Sequence, residues 1–253
     1  MSAALDLTPA PGAAPAGRRV VRHALTEARL LVRNGEQLLL ALVIPVGILV
    51  AGPLLGHRLG GLDQLAPSVL ALAVWSSAFT SVAIATGFER RYGVLERLAA
   101  TPLGRSGLVA GKAGAVLLVL AGQLVVLVTA GLVLGWRPTF TAGSALFAVA
   151  LVVVGAAAFV ALALLLAGRL RAEVTLAVAN LVYVVLLVGG ALVVPLDRYP
   201  AALQPALALL PTAALGEGLR DAAAGQVTPM VLMVLLVWLV AAAALTRRMF
   251  RWT

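Results

Sequence analysis

Long apolar runs alternate with short polar connectors along almost the whole chain. Six such runs fall at about 37–55, 66–87, 113–134, 142–167, 174–194 and 227–245. Each is long enough to cross the roughly 30 Å hydrocarbon core as a helix of about 20 residues. The pattern therefore predicts an all-α integral membrane protein with six transmembrane helices in a domain over 37–253. The fourth run is long and has room to tilt. Pro45, Gly47, Gly52 and Pro53 are expected to bend the first, as spans tolerate such residues. Ahead of it, 18–36 changes character. Val20, Val21, Ala24, Leu25, Ala28, Leu31 and Val32 trace one helical stripe, with Arg18, Arg22, Arg29 and Arg33 off it. This predicts an amphipathic helix in the membrane interface, cations toward lipid phosphates; a cytosolic helix packed on a partner is the other reading. Residues 1–17, rich in alanine and proline, are expected to form a disordered tail. They lack the basic lead-in and apolar core of a signal peptide.

Composition strengthens the membrane reading. The 253 residues are 62% hydrophobic and 11% charged, with a mean hydropathy of +1.06, where a soluble domain needs about a quarter charged. Cysteine is absent, which excludes disulfides, thiolate metal sites and cysteine nucleophiles. His23 and His57 are the only histidines and lie on different segments, so no metal site is expected. The net charge of +9 does not imply nucleic acid, because the cations sit in the connectors. Of the 19 Lys and Arg, 15 fall on one side and 4, Arg58, Arg137, Arg198 and Arg220, on the other. Basic residues collect on the cytoplasmic side, which predicts cytoplasmic termini and an even number of spans. An odd number would expel the basic tail Arg247, Arg248, Arg251. Anionic membrane lipids are expected contacts, and Trp136 and Trp252 are expected interfacial anchors.

The most charge-dense connector is 88–112, FERRYGVLERLAATPLGRSGLVAGK. Ionised groups at this density cannot sit in hydrocarbon. Tyr92, Leu95, Leu98 and Ala99 fall on one face of a short helix predicted over about 92–100, with Glu96 and Arg97 toward the other. Thr101-Pro102 ends it, since proline disfavours a helical residue before it. The run Glu89-Arg90-x-x-Gly93-x-Leu95-Glu96-x-Leu98-x-x-Thr101-Pro102-Leu103, then Gly111-Lys112, resembles the coupling segment of ABC type-2 transporter permeases, the membrane subunits of bacterial ATP-driven exporters. Arg91 and Val94 stand where that family commonly has an acidic residue and a threonine. The resemblance implies that Glu89, Arg90, Arg91, Gly93, Glu96, Arg97, Thr101 and Pro102 dock a coupling helix on a separate ATPase.

A second stretch resembles the same family. The connector 195–226 carries Pro195-Leu196-Asp197, Pro200, Leu210-Pro211 and Glu217-x-x-Arg220, and predicts two short helices at or dipping into the outer interface. Asp197, Pro211, Glu217 and Arg220 are candidate outer-gate residues, with a surface i,i+3 ion pair as the plainer reading of the last two. The resemblance implies a permease in the bacterial cytoplasmic membrane, paired with a second permease chain (identical or not) and two ATPase copies. ATP and Mg would sit on the ATPase, with no cofactor on this chain. It further implies export of a hydrophobic drug or lipid-like substrate, with a polysaccharide or lipid-linked glycan as the alternative within the family.

The remaining chemistry is sparse. Gly111-Lys112 is not a P-loop: Ser106 takes its first glycine position and Ala113 its Ser/Thr position. No carboxylate falls inside the predicted spans, Glu173 coming closest, which weighs against an ion-coupled carrier. No constellation suits a membrane-embedded enzyme. Ser76, Thr80, Ala83 and Gly87 form a small-residue stripe at helical spacing, open to helix packing or to a pathway role. Gln123 and Asn180 need partners if buried in hydrocarbon, by interhelical hydrogen bonds or by substrate contact.

Overall fold

The computed structural model describes residues 12–33, 35–54 and 61–250, apart from the side chains of 35–41 and 53–54. It is built from helices, with no strand among the described residues. Residues 1–11 of the tail predicted over 1–17, and His57, Arg58, Arg251 and Trp252, lie outside the described residues.

The amphipathic segment forms α1 (Ala16–Arg33), two residues earlier than the sequence suggests. Next come α2 (Gly35–Leu54), α3 (Gly61–Trp75), a π-helical turn at Ser76–Ser81 and α4 (Val82–Arg91). The last three form one unbroken helix of 31 residues, Gly61–Arg91. A short α5 (Val94–Ala99) precedes α6 (Gly104–Val133) and α7 (Ala142–Ala167). After α8 (Ala172–Gly189) the chain makes a 3-10 turn at Leu196–Arg198 and a single helical turn, α9 (Gln204–Leu207). Two further helices, α10 (Pro211–Ala223) and α11 (Pro229–Met249), end the described chain.

Five of these helices are long and apolar enough to cross a membrane: Gly61–Arg91, α6, α7, α8 and α11. In α2, which covers the first predicted span, the apolar stretch described is Leu42–Gly52. Two spans outrun their predicted ends for the same reason. Helical hydrogen bonding continues past the apolar run into polar sequence, since backbone pairing does not depend on side-chain polarity. Glu89, Arg90 and Arg91 thus belong to the last turns of α4, while Arg105 and Lys112 ride the first turns of α6. The connector between the two bodies shrinks to 92–103, and the helix predicted at 92–100 to α5.

α7 is the central post. It packs along α11 on one side and against the π-turn, α4 and α10 on others. Trp75 stacks on Phe79 at 4.3 Å and meets Phe159 of α7 edge-on at 4.8 Å. All three rings are buried, so they are core. α1 runs beside the first turns of α6, where Gly111 and Gly114 leave room for His23 and Ala24. Trp136, expected to face the membrane interface as an anchor, is covered by protein instead: it is 2% exposed, covers Gly131 and meets Phe140 edge-on at 6.2 Å.

Candidate functional site

The two motif-bearing regions occupy opposite ends of the bundle. At one end α4 and α6 are joined by the 92–103 connector. Gly93 (φ 68°) and Gly104 (φ 67°) make its two corners, in a left-handed conformation that costs other residues about 1–2 kcal/mol. Between them Leu95, 1% exposed, anchors α5, while Glu96 and Arg97 face outward. Thr101 Oγ1 donates to the Leu98 carbonyl at 2.6 Å and closes the helix. Pro102 accepts a hydrogen bond from Arg19 of α1. The result is a stiff projection on two long helices.

The other charged residues of this segment turn inward or sideways. Lys112 is 6% exposed and its Nζ lies 2.7 Å from Glu89 and 3.7 Å from Glu27 of α1. His23 stands 3.9 Å from Glu27. Burial holds the His23 imidazole below its ordinary value, against the pull of Glu27 and with the push of Lys112. One cation thus clamps α1, α4 and α6 together. Arg90 donates to the Leu170 carbonyl and Arg91 pairs with Glu173, tying the end of α4 to the α7–α8 connector and the first turn of α8. Of the eight coupling candidates, the structure gathers Gly93, Glu96, Arg97, Thr101 and Pro102 on the projection. It sets Glu89, Arg90 and Arg91 in the base. His23 and Glu27 escaped the sequence reading, because nothing in their spacing points to a residue 85 positions away, as the separation of Glu27 from Lys112 shows.

At the far end, α10 is sunk among α3, α7 and α11, with 11 of its 13 residues buried. The Glu217–Arg220 pair is therefore no surface contact. Arg220 donates to Ser68 Oγ (2.7 Å), Glu217 Oε1 (2.7 Å) and the carbonyls of Ala191 and Leu192 (both 3.0 Å). Thr212 donates to the Gly190 carbonyl at 2.9 Å, and Leu196 N–H to Glu217 at 2.6 Å. These groups satisfy the backbone where α8 unravels. Ala191 there has φ 49°, the one positive value for a non-glycine among the described residues. A Cβ on Gly216 would stand 2.9 Å from both the Ala191 and Leu192 oxygens, so only glycine lets α10 approach. Pro211 is buried at the start of α10, whereas Asp197 is exposed on the 3-10 turn and takes no part.

The candidates within spans separate. Gln123, 4% exposed, accepts from Ser77 at 2.9 Å and joins α6 to the π-turn. Ser76 donates to its own helix at Ala73, and Thr80 Oγ1 is buried without a partner among the described residues. A π-turn holds an extra residue and falls across the predicted stripe, with Ser76 and Thr80 half-buried on it and Ala83 and Gly87 buried beyond it. Gly87 instead receives Thr175 of α8. Asn180, expected to be buried, is exposed on α8. Among the described residues, no group of three or more His, Asp or Glu side chains could hold a metal ion.

Apolar membrane-length helices, a short polar projection between two of them and a buried far-end helix define a multi-pass membrane protein. The model of the ABC-2 family transporter proteins matches residues 55–247, and the chain belongs to that family. No curated protein matched the chain.

Proposed function

We propose that the chain is the permease subunit of an ATP-driven exporter, with six spans and cytoplasmic termini in a bacterial cytoplasmic membrane. A separate ATPase, in two copies, grips the projection around Glu96 and Arg97, and a second permease chain completes the path. The reading is carried by one observation: the projection is a short polar turn between two long helices, held by buried Leu95 beneath it and by the bond from Arg19 to Pro102, so force on it is passed to α4 and α6. ATP closes the ATPase pair, the projection moves as a lever, and the change ends at the Pro211–Ala223 region as outward opening. The apolar spans suit a hydrophobic or amphipathic cargo, a drug or lipid-like molecule. Exposed Asn180 among the exposed Leu181, Val184, Val185 and Val188 favours a partner chain, since an amide in hydrocarbon gains from an interhelical hydrogen bond.

The test is Glu96→Ala with Arg97→Ala, compared with the parent for co-purification of an ABC ATPase from the native host. The variant is expected to insert and melt like the parent while losing the ATPase. Retention of full ATPase binding and transport would defeat the lever. Glu89→Ala is a poorer probe, because it strips the Lys112 clamp rather than the exposed grip.

A further inference from the structure

The seam between α6 and α7 is not closed by packing. Two cavities lie in succession along it. The first, about 550 Å³, opens at the projection end and runs between Val109 and Ala113 of α6 and Val160 and Leu164 of α7, with α11 as its third wall. The second, about 440 Å³, continues between Leu117 to Val128 of α6 and Ala145 to Val153 of α7, and ends under Trp136, Phe140 and Leu219. The lining positions on α6, such as 109, 113, 117, 120 and 124, recur at helical spacing. The two cavities therefore share one face of α6 and line up as a furrow along that helix.

The furrow is chemically polarised. Its walls are aliphatic from end to end, but its mouth carries Arg105 and Arg247 with Ser106 and Thr246. No carboxylate lines either cavity among the described residues. Apolar walls take an acyl chain for its burial, and two guanidiniums at membrane-surface depth select an anionic headgroup, because arginine matches phosphate oxygens in a fork.

We infer that this furrow is a binding site for an anionic phospholipid of the leaflet on the projection side. The phosphate sits at Arg105 and Arg247, and one acyl chain lies along the α6–α7 seam. The site lies on the opposite flank of α6 from the α1 contact and does not depend on an ATPase partner.

The experiment uses the full chain in nanodiscs doped with phosphatidylglycerol carrying a diazirine at the chain terminus, with phosphatidylcholine of the same tail for comparison. Adducts mapped by mass spectrometry are expected on the furrow face of α6 and α7. Labelling should be about tenfold greater with the anionic lipid, a difference near 1.4 kcal/mol. Arg105→Ala with Arg247→Ala should remove that preference, and Ala110→Trp, at an exposed cavity position, should remove the adducts without changing the melting temperature. Equal labelling by both headgroups would overturn the inference. So would equal labelling of the exposed α8 face at Val184 and Val188, which would mark an ordinary annular lipid. Because the chain has no cysteine, Ala110→Cys also reports on a competing occupant: efficient disulfide dimerisation there would assign the furrow to a second copy.

Discussion

At the scale of single residues, two buried charged groups hold this molecule. Arg220 makes four hydrogen bonds to three separate segments. Arg220→Ala would leave the Glu217 carboxylate without its cation and two carbonyls without this donor, and removing one partner of a buried pair costs about 3–5 kcal/mol. The expected outcome is an early unfolding transition in mild detergent. Arg220→Lys should recover only part of the loss, because an ammonium lacks the planar fork. Lys112 is the counterpart at the other end, and His23 beside it gives a pH dependence. Glu27 of α1 and Lys112 of α6 face the imidazole, and Glu89 of α4 reaches it only through Lys112. Because burial depresses its folded value below the ordinary 6.5, the unfolded chain binds more protons just below that pH. Stability is present above about 6.5 and is lost as pH falls through the depressed value. Melting temperature should decline on acidification, and His23→Gln should flatten the decline.

At the scale of elements, the contact between α1 and α6 depends on two glycines, Gly111 and Gly114. A methyl at Gly111 would fall inside the His23 ring. Gly111→Ala is therefore expected to lever α1 away from α6, although it raises helix propensity by about 1 kcal/mol. Trypsin should then cut at Arg22 and Arg29 severalfold faster. Gly122→Ala, where nothing lies within 4 Å, is the matched control and should cut like the parent. The π-turn at Ser76–Ser81 belongs to the same scale. No single residue in that run announces it, and the turn meets α7 and, through Ser77, Gln123 of α6.

At the scale of the whole molecule, topology is the testable quantity. A single cysteine at Arg97, in a chain with none, should react with an impermeant maleimide only after cells are permeabilised; labelling of intact cells would put the projection on the wrong side for an ATPase. The hydrophobic pattern alone determined the fold class, the placing of the long helices and the position of the polar projection. These follow from local rules: apolar runs of membrane length, and glycine and proline at corners. Tertiary structure decided which charges face out and which are buried. Glu89 and Glu96 look alike in sequence, yet one is clamped by Lys112 and the other is exposed. Trp136 and Asn180 likewise exchanged the environments expected of them. Helical spacing tells which residues share a face, whereas the identity of the neighbour covering that face comes from residues tens of positions away. That is why the ends of α8, the cradle for Arg220 and the furrow beside α7 came from the fold.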